Sequence, residues 1–205
     1  MLKQAVIAKY NEDISWTESL EIPIIIYDKS DGGNLPNIGR DLHTYAHHIA
    51  VNYNNLAELT FFLQGNPFDH CVDITNAINQ LDNIEFKPLT DIYRITHKSG
   101  LPYYSFLSLE DAYQKLTNKS SPELIIFISG AQFAVSRAKL HRHPQSFYVK
   151  MENMAETYSY YPHIFERLIA ILVDGEEKWG VNNQHPKYLE YIKLMINNLD
   201  PILEL

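Results

Sequence analysis

Four short runs carry almost nothing but apolar side chains: "QAVIAKY" (Gln4 to Tyr10), "IPIIIYDK" (Ile22 to Lys29), "LTFFL" (Leu59 to Leu63) and "ELIIFIS" (Glu123 to Ser129). Each is too short for a helix of ordinary length and rich in Val, Ile and Phe, which marks a buried strand. Between them lie segments of helical period. In "GRDLHTYAHHIAVNYNNL" (Gly39 to Leu56), Leu42, Ala46, Ile49, Tyr53 and Leu56 recur at spacings of four and three and form one apolar stripe. Strands alternating with such helices predict an α/β sandwich, a mixed sheet with helices on both faces.

The rest of the chain fits that frame. "NEDISW" predicts a short helix capped by Asn11, Glu12 or Asp13, and "SDGGNLPNIG" (Ser30 to Gly39) a loop. "VDITNAINQLDN" predicts a helix facing the core with Ile74, Ala77, Ile78 and Leu81. Ile84 to Gly100 is ambiguous, with "IYRIT" (Ile92 to Thr96) readable as a strand. Ser108 and Asp111 form a capping-box pattern at the head of "SLEDAYQKL". "GAQFAVSRAKLHRHP" predicts a strand running into a short helix ended by Pro144, and the C-terminal third is helical in pattern, ending in "PKYLEYIKLMINNL". No repeat or linker interrupts the 205 residues, so a single domain over 1–205 is expected.

A formal net charge of −8 argues against a nucleic-acid partner, which requires a basic face. It leaves room for a small anion held by a few local cations and backbone N–H groups. Cys71 is the only cysteine, so neither an intrachain disulfide nor a cysteine zinc site is available, and a reducing, cytoplasmic setting is expected. No run approaches the about 18 apolar residues of a membrane span.

In open α/β sheets, ligands bind beyond the carboxyl ends of the strands. That rule groups "YNED", the loop before Arg40, and "QGNPFDH", which starts at Gln64. Asp69 and His70 offer a hard oxygen and an imidazole nitrogen, types a divalent cation accepts; the alternative is a helix cap. Arg40 follows Gly39 in the first helical turn, where a phosphate can be met by backbone N–H groups and a guanidinium, or Arg40 can pair with a local carboxylate. His43 and His47 lie about 40° apart on one helix face, a zinc-compatible spacing, yet "HTYAH" lacks the glutamate of a metalloprotease helix. Glu166 in "FERL" is a candidate general base or the partner of Arg167.

The strings "VIAKYNEDISW", "LPNIGRDLHTYAHHI", "FFLQGNPFDH", "GAQFAVSRAKLHRHPQSFY" and "FERL" together resemble a family of domains of unknown function described as glycosyltransferase-like. The resemblance runs from Val6 to about Leu172. It departs where the family shows Arg-Pro and this chain has His143-Pro144. The family is similar in turn to GT-A glycosyltransferases, which have a nucleotide-binding α/β sandwich. The resemblance implies transfer of a sugar from a nucleotide-sugar donor to a hydroxyl acceptor. It implies that Tyr10, Asn11 and Glu12 line the nucleotide pocket, that Arg40 faces the diphosphate, and that Gln64 and Gln132 line the substrate site. It also implies that Asp69 and His70 bind a divalent cation, Mn²⁺ or Mg²⁺, or the sugar, with Asp69 and Glu166 as catalytic carboxylates and Glu166 as general base or sugar contact. "QGNPFDH" stands where such enzymes carry D-x-D. A His-rich metal-dependent hydrolase using His43, His47 and His70, and a ligand-binding module without catalysis, are the alternative readings.

Overall fold

The computed structural model describes residues 1–90, 92–101 and 108–197, and the backbone of 202–203. In chain order the elements are β1 (Lys3–Lys9), β2 (Ile24–Asp28), α1 (Arg40–Val51), β3 (Leu59–Gln64), α2 (Ile74–Gln80), β4 (Phe86–Pro88), β5 (Tyr93–His97), α3 (Leu109–Thr117), β6 (Leu124–Ile128), β7 (Phe133–Ser136), α4 (Arg137–Leu140), α5 (Gln145–Thr157), α6 (Tyr161–Asp174), α7 (Glu176–Trp179), β8 (Gly180–Val181), α8 (Tyr188–Asn197) and β9 (Ile202–Leu203). The chain is mixed α/β with a helical C-terminal region. Its contacts gather into two compact units, one of Met1–Asp91 with Gly130–Pro162, the other of Ile92–Ser129 with His163–Leu205.

The first unit is built on a five-stranded sheet of order β2-β1-β3-β7-β4. β1 pairs in parallel with β2 and with β3, while β7 runs antiparallel to β3 and β4. β3 explains why its sequence shows no alternation: its side chains are buried on both faces of the sheet. Phe61 joins a cluster with Ala5, Ile7, Leu20, Ile74 and Ile78, covered by α2 and the 3-10 turn Ser15–Ser19. Phe62 points the other way, its ring 5.0 Å from Tyr45 of α1 and 5.2 Å from Phe133 of β7. Helix α5 then packs on α1.

The second unit has a four-stranded sheet, β8-β6-β5-β9, antiparallel throughout. Its β6 is wholly buried, and the Arg167 guanidinium of α6 lies 5.0 Å from the centre of the Phe127 ring. The indole of buried Trp179 donates to Asp174 Oδ2 at 3.0 Å.

Several expected boundaries shift. The helix of the Gly39–Leu56 stripe ends at Val51, and Tyr53–Asn55 form a separate 3-10 turn. The segment after "YNED" is a 3-10 turn whose cap position is Ile14, with Asp13 Oδ1 accepting from Ser15 N. The expected Ser108 cap is present, its hydroxyl accepting from Asp111 N at 3.1 Å. Asp91 of the ambiguous stretch, and Asn198 and Leu199 at the end of the last expected helix, lie outside the described residues.

Candidate functional site

The chain passes from β1 to β2 on one side of the sheet and then returns to place β3 on the other side of β1. Such a reversal opens a crevice at the carboxyl ends of the two central parallel strands. Ala8 lies opposite Gln64, and Lys9 opposite Asp28, so the three strand ends finish side by side. The loops that leave them are the three motifs singled out by the sequence.

The loop after β1 is drawn toward the loop after β3. Glu12 Oε2 accepts from Tyr10 N at 2.6 Å, which folds the "YNE" turn back on itself. The same carboxylate packs against Gly65: a Cβ there would stand 2.6 Å from Glu12 Oε2 and 3.1 Å from Glu12 Cβ. Only a glycine permits that approach. The Trp16 indole donates to Gly65 O at 2.8 Å and meets the Phe68 ring edge-on at 5.8 Å. Tyr10, Asn11 and Glu12 are exposed along the rim.

Helix α1 enters from the second loop through two residues in the left-handed region, Gly39 at φ 62° and Arg40 at φ 49°. For Arg40 that backbone costs about 1–2 kcal/mol. Buried Lys29 holds it, its Nζ donating to Ile38 O at 2.6 Å and to Arg40 O. Burial pulls the Lys29 ammonium down to about 8, opposed by the nearby Asp41 carboxylate. Arg40 itself is exposed. Asp41 accepts from Gln64 Nε2 at 2.7 Å, which ties α1 to the end of β3. Burial pushes the Asp41 carboxyl up, and the Gln64 bond and Lys29 counter it.

Gln132 lies beneath this loop rather than along its surface. It is fully buried, its Oε1 accepting from Gln64 N at 3.3 Å and its Nε2 donating to Pro67 O at 3.1 Å. The amide therefore holds the "QGNP" backbone in place. Asp69 is exposed in the following turn. The His70 ring packs on Gly130, and its Nδ1 is buried with no hydrogen-bond partner. Among the described residues no third His, Cys, Asp or Glu completes a ligand group with Asp69 and His70. Two such ligands do not make a cation site on their own.

Glu166 belongs to the second unit, with its carboxylate 3.4 Å from Arg167 Nη1. His43 and His47 do share a face of α1, as their spacing predicts, and that face looks onto α5. His43 Nε2 lies 3.1 Å from Glu156 Oε1, and His47 Nδ1 lies 2.7 Å from Glu152 Oε1. His70 packs elsewhere, on Gly130.

The loops after β1, β2 and β3 and the element ends beside them thus carry Tyr10, Asn11, Glu12, Arg40 and Gln64, with Asp69 and His70 on the turn that follows β3. Sequence reasoning missed Asp41 and Lys29. Both sat in segments already explained as helix and strand, and the available signal was two further charges flanking the loop that ends in Arg40.

No helix among the described residues is long and apolar enough to cross a membrane. The model of a family described as "Protein of unknown function (DUF3431)" matches residues 5–178. Comparison with curated proteins and with solved structures returned no match.

Proposed function

Starting from the chain's membership of the DUF3431 family, we propose that it is a transferase that moves a sugar from a nucleotide-sugar donor to a hydroxyl acceptor at the β1–β3 crevice. The observation that carries this reading is the joining of three polar loops at one sheet edge. Glu12 packs on Gly65, Trp16 bonds Gly65 O, and Gln64 bonds Asp41. Such an edge is where open α/β sheets hold nucleotides.

Each residue then has a chemical task. Tyr10 offers a flat ring with a hydroxyl, and Asn11 an amide, to the nucleoside. The exposed Arg40 guanidinium, standing at the positive end of α1, neutralises the donor diphosphate and the charge that grows on it as the glycosidic bond breaks. Glu12 is the carboxylate on the rim beside Gly65, and it takes the proton of the attacking acceptor hydroxyl. Gln64, Asp69 and His70 contact sugar hydroxyls. A divalent cation that arrives with the diphosphate would take most of its ligands from the donor, so no step is assigned to it.

A thermal-shift panel of UDP-, GDP-, CMP- and dTDP-sugars, each with and without Mn²⁺, tests the proposal. One nucleotide class at about 100 times its dissociation constant should stabilise the protein by about 2.7 kcal/mol. Arg40→Gln should abolish that shift, and Glu12→Gln should keep binding and lose transfer. A flat response across every nucleotide sugar rules the transferase out.

A further inference from the structure

We infer that His43, Glu152 and Glu156, with His47 bonded to Glu152 beside them, form a binding site for a divalent transition metal of the zinc class, fastening α1 to α5. The two histidines are four residues apart on α1 and the two glutamates four residues apart on α5, so each pair projects from one face of its helix. The helices pack together, and the pairs meet crosswise: 43 with 156 and 47 with 152. That is the register of two antiparallel helices, a common frame for metal ligands.

The distances suit an ion held by three protein ligands. With zinc–ligand bonds of about 2.0–2.1 Å, the ligand atoms of a tetrahedron stand about 3.3 Å apart. His43 Nε2 and Glu156 Oε1 are 3.1 Å apart, His47 Nδ1 and Glu152 Oε1 2.7 Å. Ligand atoms of His43, Glu152 and Glu156 all fall within 4.8 Å of one another. The imidazole planes of His43 and His47 lie 19° apart with centroids at 6.3 Å.

Charge agrees with geometry. Two carboxylates balance a dication, and a neutral imidazole completes a set that zinc prefers over magnesium or calcium. His43 is 1% exposed while the Glu156 side chain is 43% exposed, so the group is anchored inside and open to an entering ion outside. Lys29 Nζ stands 3.4 Å from the other ring nitrogen of His43, Nδ1, with its remaining protons given to backbone carbonyls. That contact favours the His43 tautomer with a proton on Nε2, donated to Glu156. An ion bound at Nε2 requires the neutral ring to carry its proton on Nδ1 instead. Three protein ligands leave a fourth position for water.

The test uses the full chain stripped with a chelator and then titrated with Co²⁺ and Zn²⁺. About one ion per chain should bind, Co²⁺ should show the intense visible bands of four-coordination, and Zn²⁺ should displace it. Glu152→Gln should weaken binding by more than the about 10- to 100-fold typical of losing an outer partner, and His47→Ala, which removes the partner of Glu152, by about that much. Glu152→Gln/Glu156→Gln should bind no stoichiometric ion and show no zinc-dependent rise in melting temperature, with its circular dichroism unchanged. Failure of the natural chain to bind a stoichiometric ion overturns the site, as does undiminished binding in the double variant. Metal content is read without nucleotide, so this result stands apart from the transferase test.

Discussion

Replacing Gly130 by alanine should be costly for two separable reasons. Its backbone sits at φ 79° and ψ −7°, in the left-handed region. A Cβ there costs about 1–2 kcal/mol from local sterics alone. That Cβ would also stand 2.3 Å from His70 Cδ2, 2.6 Å from Cγ and 2.8 Å from Nε2. Carbon atoms in good contact are about 3.5–4.0 Å apart, so the imidazole must move by more than 1 Å. Its room to move is small, because the turn behind it is fixed by the bonds of His70 N and Cys71 N to Pro67 O. Overpacking of this kind costs about 1–3 kcal/mol. Gly130→Ala should therefore lose about 2–5 kcal/mol in urea unfolding. In a His70→Ala background the ring is gone, and the same substitution should lose only the backbone share, about 1–2 kcal/mol. The double-mutant cycle should give a coupling of about 1–3 kcal/mol. Additivity within about 0.5 kcal/mol would refute the packing of His70 on Gly130, and with it the position of the turn that carries Asp69.

Gln132→Leu should cost about 1–3 kcal/mol, because Gln64 N loses its acceptor in a buried setting, and hydrogen exchange at the Gln64 amide should quicken; an unchanged rate there would count against the strut. Asp28 is held down to about 2 by Lys9 first and then by Ser30. A depressed carboxyl stabilises the fold above its ordinary value and loses that contribution as pH falls through the lowered one. Asp28→Asn should accordingly be less stable by about 1 kcal/mol or less at neutral pH, the small size reflecting solvent screening. The gap to the natural chain should close as acid unfolding is followed from pH 4 toward 2, and a gap constant with pH would exclude the pairing.

What the sequence revealed, and what it hid, follows the range of the interactions. β3 and β6 were readable because strands buried on both faces need apolar residues at every position, and α1 because its stripe repeats locally. The Ser108 cap was readable because donor and acceptor lie three residues apart. The 3-10 turn at Ser15–Ser19 was read as a helix because five residues contain too little of either period to separate them. The partners of His43 and His47 lie 113 and 105 residues along the chain, on a helix whose glutamates look like ordinary solvent-facing charges in isolation. Gln132 was assigned to the ligand because its partners are backbone atoms, which carry no sequence signature. They come within reach only once β7 pairs with β3.

The bond from the Trp16 indole to Gly65 O gives the crevice its own optical signal. The chain has two tryptophans, and Trp179 sits in the other unit, against Asp174. Emission from Trp16 responds to the loop it bonds, because loss of that hydrogen bond changes the polarity around the indole. Trp16→Phe leaves emission from Trp179 alone, so subtracting it isolates the spectrum of the β1–β3 loops. Ligand titrations and unfolding of the first unit can then be followed without any attached dye.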